Sequence, residues 1–179
     1  MTATPKTVED APSRASTEQE VQAWVGVRLD AGLGEVEAER GYVHHWMEAT
    51  ENGNPIYWDQ NAMHEVVGRA IVPPSMLSVW MRPLMFKPGH AEMIRPLELH
   101  FKLKDAIGLA KGIVASNDIT FGEPVEIGDR VRTVQTVRSI SPTKTISLGT
   151  GRFWTLDVTY TNQRDEVVGI ESYDFFCYS

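Results

Sequence analysis

The sequence predicts an α+β fold in which an antiparallel sheet wraps around one buried helix. Three observations predict it. Helical spacing of apolar residues fills the first half of the chain. Four long segments rich in Val, Ile, Thr, Phe and Tyr fill the second half. Between the halves, "IVPPSMLSVWMRP" is apolar on nearly every side. A sheet with one apolar face must bury it against helices, so the two halves need each other.

The first seventeen residues, "MTATPKTVEDAPSRAST", are polar, small and proline-containing. They lack the apolar run of an export signal, and residues 1–16 read as a flexible tail. Residues 17–179 form one domain, long enough to bury a substantial core. "STEQEVQAWVGVRLDAG" predicts a helix: Ser16 or Thr17 is the N-cap, and Thr17 with Glu20 has capping-box spacing. Val21, Trp24, Val25 and Leu29 recur along it until Gly32 ends it. "EAERGYVHHWMEATENG" predicts a second helix with Tyr42, Val43, Trp46, Met47 and Ala49 clustered at helical spacing. Gly53 and Pro55 stop it. Asp59 is the expected N-cap of a short helix through "QNAMHEVV". Pro73 and Pro74 suit a helix entry, where no hydrogen bond is lost. Met76, Leu77, Val79, Trp80 and Met81 then make a helix buried on most sides, closed by Pro83.

The predicted strands are "GLAKGIVASNDITF", "DRVRTVQTVRSIS", "TISLGTGRFWTLDVTYTN" and "EVVGIESYDFFCYS". Along the third, Ile146, Leu148, Trp154, Leu156, Val158 and Tyr160 share one face. "NQRD", residues 162–165, is the turn of an antiparallel hairpin. "GEPVEIGD" is a turn-rich bend leading into a strand.

Composition excludes several functions. With 17 basic and 24 acidic residues the net charge is −7, and no basic run is present. Nucleic acid and anionic membrane are therefore not the expected main partners. Cys177 is the lone cysteine, which leaves no disulfide framework or zinc cluster and fits the reducing cytoplasm. No stretch of roughly 18 apolar residues is long enough to span a membrane. His44 and His45 are adjacent and would point about 100° apart on a helix. His64, His90 and His100 lack HxxxH or HExxH partners, so no metal is expected. There is no P-loop and no GxGxxG.

A helix, then "NGNPIYWD", a short helix, "GRAIVPPSMLSVW" and "FGEPVEIGDRV" before long strands follow one another in this order. From about residue 17 onward this arrangement resembles the MaoC-like hot-dog proteins, in particular the branch called the N-terminal MaoC dehydratase domain. The resemblance implies a hot-dog fold and an enoyl thioester as ligand. Active members of the family hydrate trans-2-enoyl thioesters to (3R)-hydroxyacyl thioesters with a loop reading Asp-x-Asn-Pro-x-His. The His is the base for the attacking water and the Asp holds and protonates. Charge on the thioester oxygen is met by N–H groups at a helix start; Ser75 aligns with the residue that supplies that contact.

On this chain Asn54 and Pro55 match the loop, Asn52 stands in the place of the Asp, and Tyr57 in that of the His. An amide exchanges no proton at neutral pH, and a tyrosine with pKa about 10 is a poor base. No catalytic residue is therefore assigned. The pattern resembles the pseudo-catalytic subunit of a heteromeric (R)-specific enoyl-CoA hydratase, with Asp and His supplied by a catalytic MaoC-like hot-dog chain in a heterodimer or heterotetramer. Five tryptophans, seven methionines and "WMRPLMF" favour a bulky acyl group, so the steroid side-chain degradation type is the one implied. The corresponding steroid-enzyme chain carries a further C-terminal domain without a counterpart in this sequence.

The substrate-binding residues implied are Asn54, Tyr57, Trp58, Ser75, Met76 and Trp80. The CoA thioester is substrate, and no cofactor is expected. Each residue also has a plain structural reading: Asn52 and Asn54 fix a turn, Tyr57 packs, and Asp59 caps a helix. Arg69, Arg82, Arg95, Lys102 and Lys104 are candidate contacts for CoA phosphates or ordinary surface cations. The rival readings are a self-sufficient hot-dog acyl-CoA thioesterase using Asp59 or Glu51, a 3-hydroxyacyl-ACP dehydratase subunit, and a non-enzymatic acyl-CoA sensor.

Overall fold

The computed structural model describes residues 5–86, 88–89 and 95–179. Its second half folds as the β-rich composition requires. The strands are β1 Arg28–Leu33, β2 Lys111–Phe121, β3 Arg132–Ile140, β4 Lys144–Ile146, β5 Gly149–Thr161 and β6 Val167–Tyr178. They form one antiparallel sheet in the order β1-β3-β5-β6-β2, with β4 paired to β5. "NQRD" turns β5 into β6 as predicted, with Asp165 in the left-handed region at φ 61°.

Alternation along β5 sets the core. Trp154, Leu156, Val158 and Tyr160 face one side and are 1 % exposed or less. Their β6 partners in register are Phe175, Tyr173, Glu171 and Gly169. Two helical segments cover this face end to end. Helix α5 (Glu98–Ile107) lays Leu99, Leu103 and Ala106 on Trp154, Leu156 and Phe175. A 3-10 segment, Pro74–Val79, lays Met76 and Leu77, followed by Trp80, on Val158, Tyr160 and Val168. Each such buried side chain contributes about 1.5–3 kcal/mol. Gly169 makes the second contact possible, since a Cβ there would lie 2.4 Å from Leu77 Cδ2.

The structure departs from expectation in two places of the helical half and in one predicted strand. The run "IVPPSMLSVWMRP" is buried as predicted, yet it is a 3-10 turn and not the long central α-helix. Pro73 and Pro74 remove two donors at its start and Pro83 bounds it, leaving too few residues for a stable i→i−4 ladder. The regular helix on the sheet is α5, whose Leu99, Leu103 and Ala106 have helical spacing. The helix predicted from Thr17 to Gly32 is only α1 (Glu18–Gln22). Thr17 and Glu20 do form the capping box, but Gly26 turns the chain at φ 84° and β1 follows, paired with β3. Finally, the third predicted strand is a hairpin. Ser147 and Leu148 turn between β4 and β5, so Ile146 and Leu148 are 37 % and 46 % exposed instead of lying on the core face.

Helix α2 (Arg40–Ala49) follows the prediction, burying Val43 and Met47. From Pro5 onward the stretch read as a tail lies against the domain. The Asp10 carboxylate accepts from Thr7 N–H (2.8 Å) at the start of Val8–Asp10, Arg28 N–H donates to Lys6 O (2.9 Å), and buried Ala15 donates its N–H to Ala106 O (2.9 Å).

The bend "GEPVEIGD" is held by a clamp. Asp129, 2 % exposed, accepts from Glu126 N–H (2.9 Å), Gln163 Nε2 (2.7 Å) and both terminal nitrogens of Arg164 (2.8 and 3.2 Å). Burial would raise the Asp129 pKa, but these donors, Arg164 foremost, outweigh it and hold the carboxyl below its usual value. The bend and the β5–β6 turn are thereby fixed to each other.

Candidate functional site

The loop "ENGNPIYWD" is built from side chains that bond to their own backbone. Thr50 caps α2 by donating to Trp46 O (2.8 Å), and Glu51 takes the left-handed conformation at φ 50°. Asn52 Oδ1 accepts from Asn54 N–H (3.0 Å), while Asn52 O accepts from Trp58 Nε1 (2.8 Å). Asn54 Oδ1 accepts from Ile56 N–H (3.2 Å), capping the short helix α3 (Pro55–Trp58) with Pro55 at its first position. Asp59 Oδ1 accepts from Asn61 N–H (2.8 Å) and caps α4 (Gln60–Val66). The side chains of Asn52 and Asn54 are thus both spent on turn geometry.

Tyr57 is buried in the cluster that holds Met47, Met76 and Trp80. Burial pushes its hydroxyl above the usual pKa, farther from service as a base. Of the six residues expected to bind substrate, Tyr57, Met76 and Trp80 come together in this cluster. Asn54, Trp58 and Ser75 stay at the surface, Trp58 stacked on His44 with 5.1 Å between ring centroids. Of the basic candidates, Arg69 pairs with Glu126 (3.0 Å), Lys102 with Glu98 (3.0 Å), and Arg95 and Lys104 with Asp105 (3.5 Å each). Arg82 has no acidic partner among the described residues.

The concave face of the sheet is not fully covered. By register, Val114, Asn117, Ile119 and Phe121 of β2 stand on the same side as Phe175, Tyr173, Glu171 and Gly169 of β6. Neither α5 nor the 3-10 segment reaches them: Val114 is 53 %, Ile119 37 % and Phe121 51 % exposed. This apolar stripe runs into a small pocket of about 90 Å³ lined by Ile71, Pro73, Leu77, Phe121, Pro124 and Val168. The stripe therefore ends beside the start of the 3-10 segment, just below Ser75.

Two buried polar groups on this face escaped the sequence reading. Glu171, 4 % exposed, accepts from Tyr160 Oη (2.6 Å) and from Asn117 Nδ2 (3.0 Å). Burial first, and the Glu171 carboxylate next, push the hydroxyls of Tyr160 and Tyr173 above their usual pKa. His100 on α5 accepts from Trp154 Nε1 at Nδ1 (3.2 Å) and stacks on Phe175 at 3.8 Å. Burial, helped by Lys104, lowers its pKa to about 4, so it is a neutral core imidazole. The alternation of β6 and the spacing of α5 could have placed both residues inward, since Glu171 keeps step with Tyr173 and Phe175, and His100 sits between Leu99 and Leu103.

Among the described residues no group of three or more His, Cys, Asp or Glu is arranged to hold a metal ion, and no helix is long and apolar enough to cross a membrane. His90 lies outside the described residues.

The fold and its uncovered face define a class. The chain is similar to one chain of the ChsH1-ChsH2 complex from Mycobacterium tuberculosis, with 23 % identity, TM-score 0.68 and 82 % of each chain covered. It is similar also to a MaoC-like dehydratase from Rhodospirillum rubrum, with 19 % identity, TM-score 0.60, and 86 % of this chain and 92 % of that one covered. These likenesses establish the hot-dog fold. Residues 23–171 match the model of the FAS1-like, dehydratase domain region family. The chain belongs to this family of MaoC-like hot-dog domains. A probable enoyl-CoA hydratase alpha subunit from Thermomonospora curvata is 32 % identical over 163 residues, which cover 86 % of this chain and 49 % of that protein. The chain thus spans about half the length of the curated relative it matches.

Proposed function

We propose that this chain is the non-catalytic, substrate-binding subunit of a heteromeric enoyl-CoA hydratase. The observation that carries the reading is the loop at Asn52–Tyr57. Its amide and phenol stand where active relatives place acid and base, and both are committed to turn geometry or core packing. The relative from Thermomonospora curvata, described as an alpha subunit, supports a hydratase with a second kind of chain.

In this reading the chain holds and orients the acyl group while a partner does the chemistry. The partner's His takes a proton from water as oxygen bonds to the β-carbon, and the α-carbon is then protonated. The partner adds to β2. This edge strand is eleven residues long, exposed throughout and, among the described residues, paired only with β6, an open row of backbone donors and acceptors. Its exposed Val114, Ile119 and Phe121 give the acyl group an apolar wall. Leu84, Met85 and Phe86, 48 %, 57 % and 81 % exposed, add apolar surface suited to a bulky group such as a steroid side chain. The cytoplasm is the compartment for such a CoA-dependent reaction.

The test is loss of enoyl-thioester absorbance with steroid-type and straight-chain trans-2-enoyl-CoA. The chain is assayed alone and co-expressed with a short hot-dog chain that carries Asp-x-Asn-Pro-x-His. Turnover confined to the pair, and lost on replacing the partner's His, is the expected result. Hydration by the chain alone would overturn the proposal and return attention to Asp59, Glu51 and Tyr57.

A further inference from the structure

Behind the apolar stripe of β2 lies a buried carboxylate on β6, and it is a costly one. Glu171 sits between Val158 and Ile119 in register, 4 % exposed, with no Lys or Arg paired to it among the described residues. A carboxylate buried without a cation is tolerated only when hydrogen bonds satisfy it. Tyr160 donates to Oε2 and Asn117 to Oε1. A carboxylate offers about four acceptor positions, so about two remain beyond these two. A glutamine in this place has a single acceptor oxygen and could take only one of these two donors without turning the Asn117 amide. The two protein donors thus leave acceptor positions on the carboxylate unfilled.

The cluster also has an approach. Asn117 is exposed and lies on the same face as Val114, Ile119 and Phe121. A group travelling along the stripe meets the Asn117 amide first and the Glu171 carboxylate behind it. Such a pairing accepts a hydrogen-bond donor at Glu171 while Asn117 can accept through its own oxygen. A thioester carbonyl, which has no proton to give, gains little there. An aliphatic hydroxyl, which both donates and accepts, fits it.

We infer that Glu171 and Asn117 form a specificity-determining polar anchor in the acyl groove, and that the preferred substrate is an acyl thioester bearing a hydroxyl on the part of its acyl group remote from the thioester. This deepens the proposed substrate-binding role and rests on it. A buried, hydrogen-bonded anchor discriminates against the ligand lacking its partner group, because binding that ligand leaves the anchor dry and short of a bond.

The test uses the chain in complex with its co-expressed partner. Binding of saturated acyl-CoAs from hexanoyl to palmitoyl, each with and without a terminal hydroxyl, is measured by calorimetry. At the chain length that reaches Glu171, the hydroxyl should tighten Kd by about tenfold or more. Glu171→Gln and Asn117→Ala should bring that ratio close to one. A thermal melt confirms that each variant is folded. Asn117→Ala, at an exposed position, carries the comparison if Glu171→Gln is not. Plain and hydroxylated ligands binding alike at every length would overturn the anchor and leave the substrate-binding role standing. A ratio that survives in both variants would overturn it too. Failure of the complex to bind any acyl-CoA would instead overturn the substrate-binding role, and the anchor with it.

Discussion

One face of one sheet is used in two ways. Under α5 and the 3-10 segment, the inward residues of β3, β5 and β6 are closed off, with Val137, Leu156 and Val158 at 0 % exposure. One strand further out, the inward residues of β2 keep the same alternation and apolar character, yet a third to a half of each is open to solvent. The difference is one of coverage and not of strand chemistry. The covered part supports the fold. The uncovered part is free to support binding, because its apolar surface is not already satisfied.

The largest effect expected from breaking the covered part is at Trp154. Trp154→Ala removes a side chain buried to 1 % and strands the His100 acceptor. A loss of about 3–5 kcal/mol is expected, read as a lowered denaturation midpoint in urea with m unchanged. A loss under 1 kcal/mol would mean that the covered face is not the stabilising one.

Next in size is the response to acid. His100 is held neutral in the fold, with a pKa near 4 against the usual 6.5. The unfolded chain therefore takes up a proton that the folded chain refuses. Stability is full above about pH 6.5 and falls as pH drops toward 4, by roughly 3 kcal/mol at most. His100→Gln, which can still accept from Trp154, should flatten the slope of unfolding free energy across that window. An unchanged slope would place the titration elsewhere.

The clamp at Asp129 comes third. Arg164→Ala leaves the buried carboxylate with two neutral donors, from Gln163 and Glu126. A cost of about 1–3 kcal/mol follows, measurable by thermal melt. Asp129→Asn with Arg164→Ala should cost less than the sum of the two single changes.

What could be read from the sequence divides along similar lines. The capping box at Thr17 and Glu20, the Asp59 cap, helix α2 and the "NQRD" hairpin depend on neighbours within a few residues, and local spacing reveals them. Strand β1 was hidden because Val21, Trp24, Val25 and Leu29 satisfy helical spacing although the chain turns at Gly26. The central run read as α-helix because burial and helix type leave the same apolar signature, and only the prolines separate them. That Asn52 and Asn54 fix a turn was legible from residue types alone. Glu171 was legible only in part: its alternation with Tyr173 and Phe175 points it inward, but the donors that satisfy it there, Tyr160 and Asn117, lie 11 and 54 residues away.

The smallest stability effect belongs to β2, and it sharpens the contrast most. Val114→Ala removes methyl groups that are already half in water, and stability should move by no more than about 0.5 kcal/mol. The same truncation at Val158, which is fully covered, should cost about 2 kcal/mol or more. If the uncovered stripe holds the acyl group, the ranking inverts when ligand binding is measured. Val114→Ala should weaken acyl-CoA binding several-fold in the co-expressed complex, since the apolar contact it removes forms only on binding. The decisive comparison is thus a pair of numbers for one residue, a midpoint that barely moves and a Kd that does. A midpoint and a Kd that both hold steady would show that the acyl group lies elsewhere and that β2 is exposed for its partner alone.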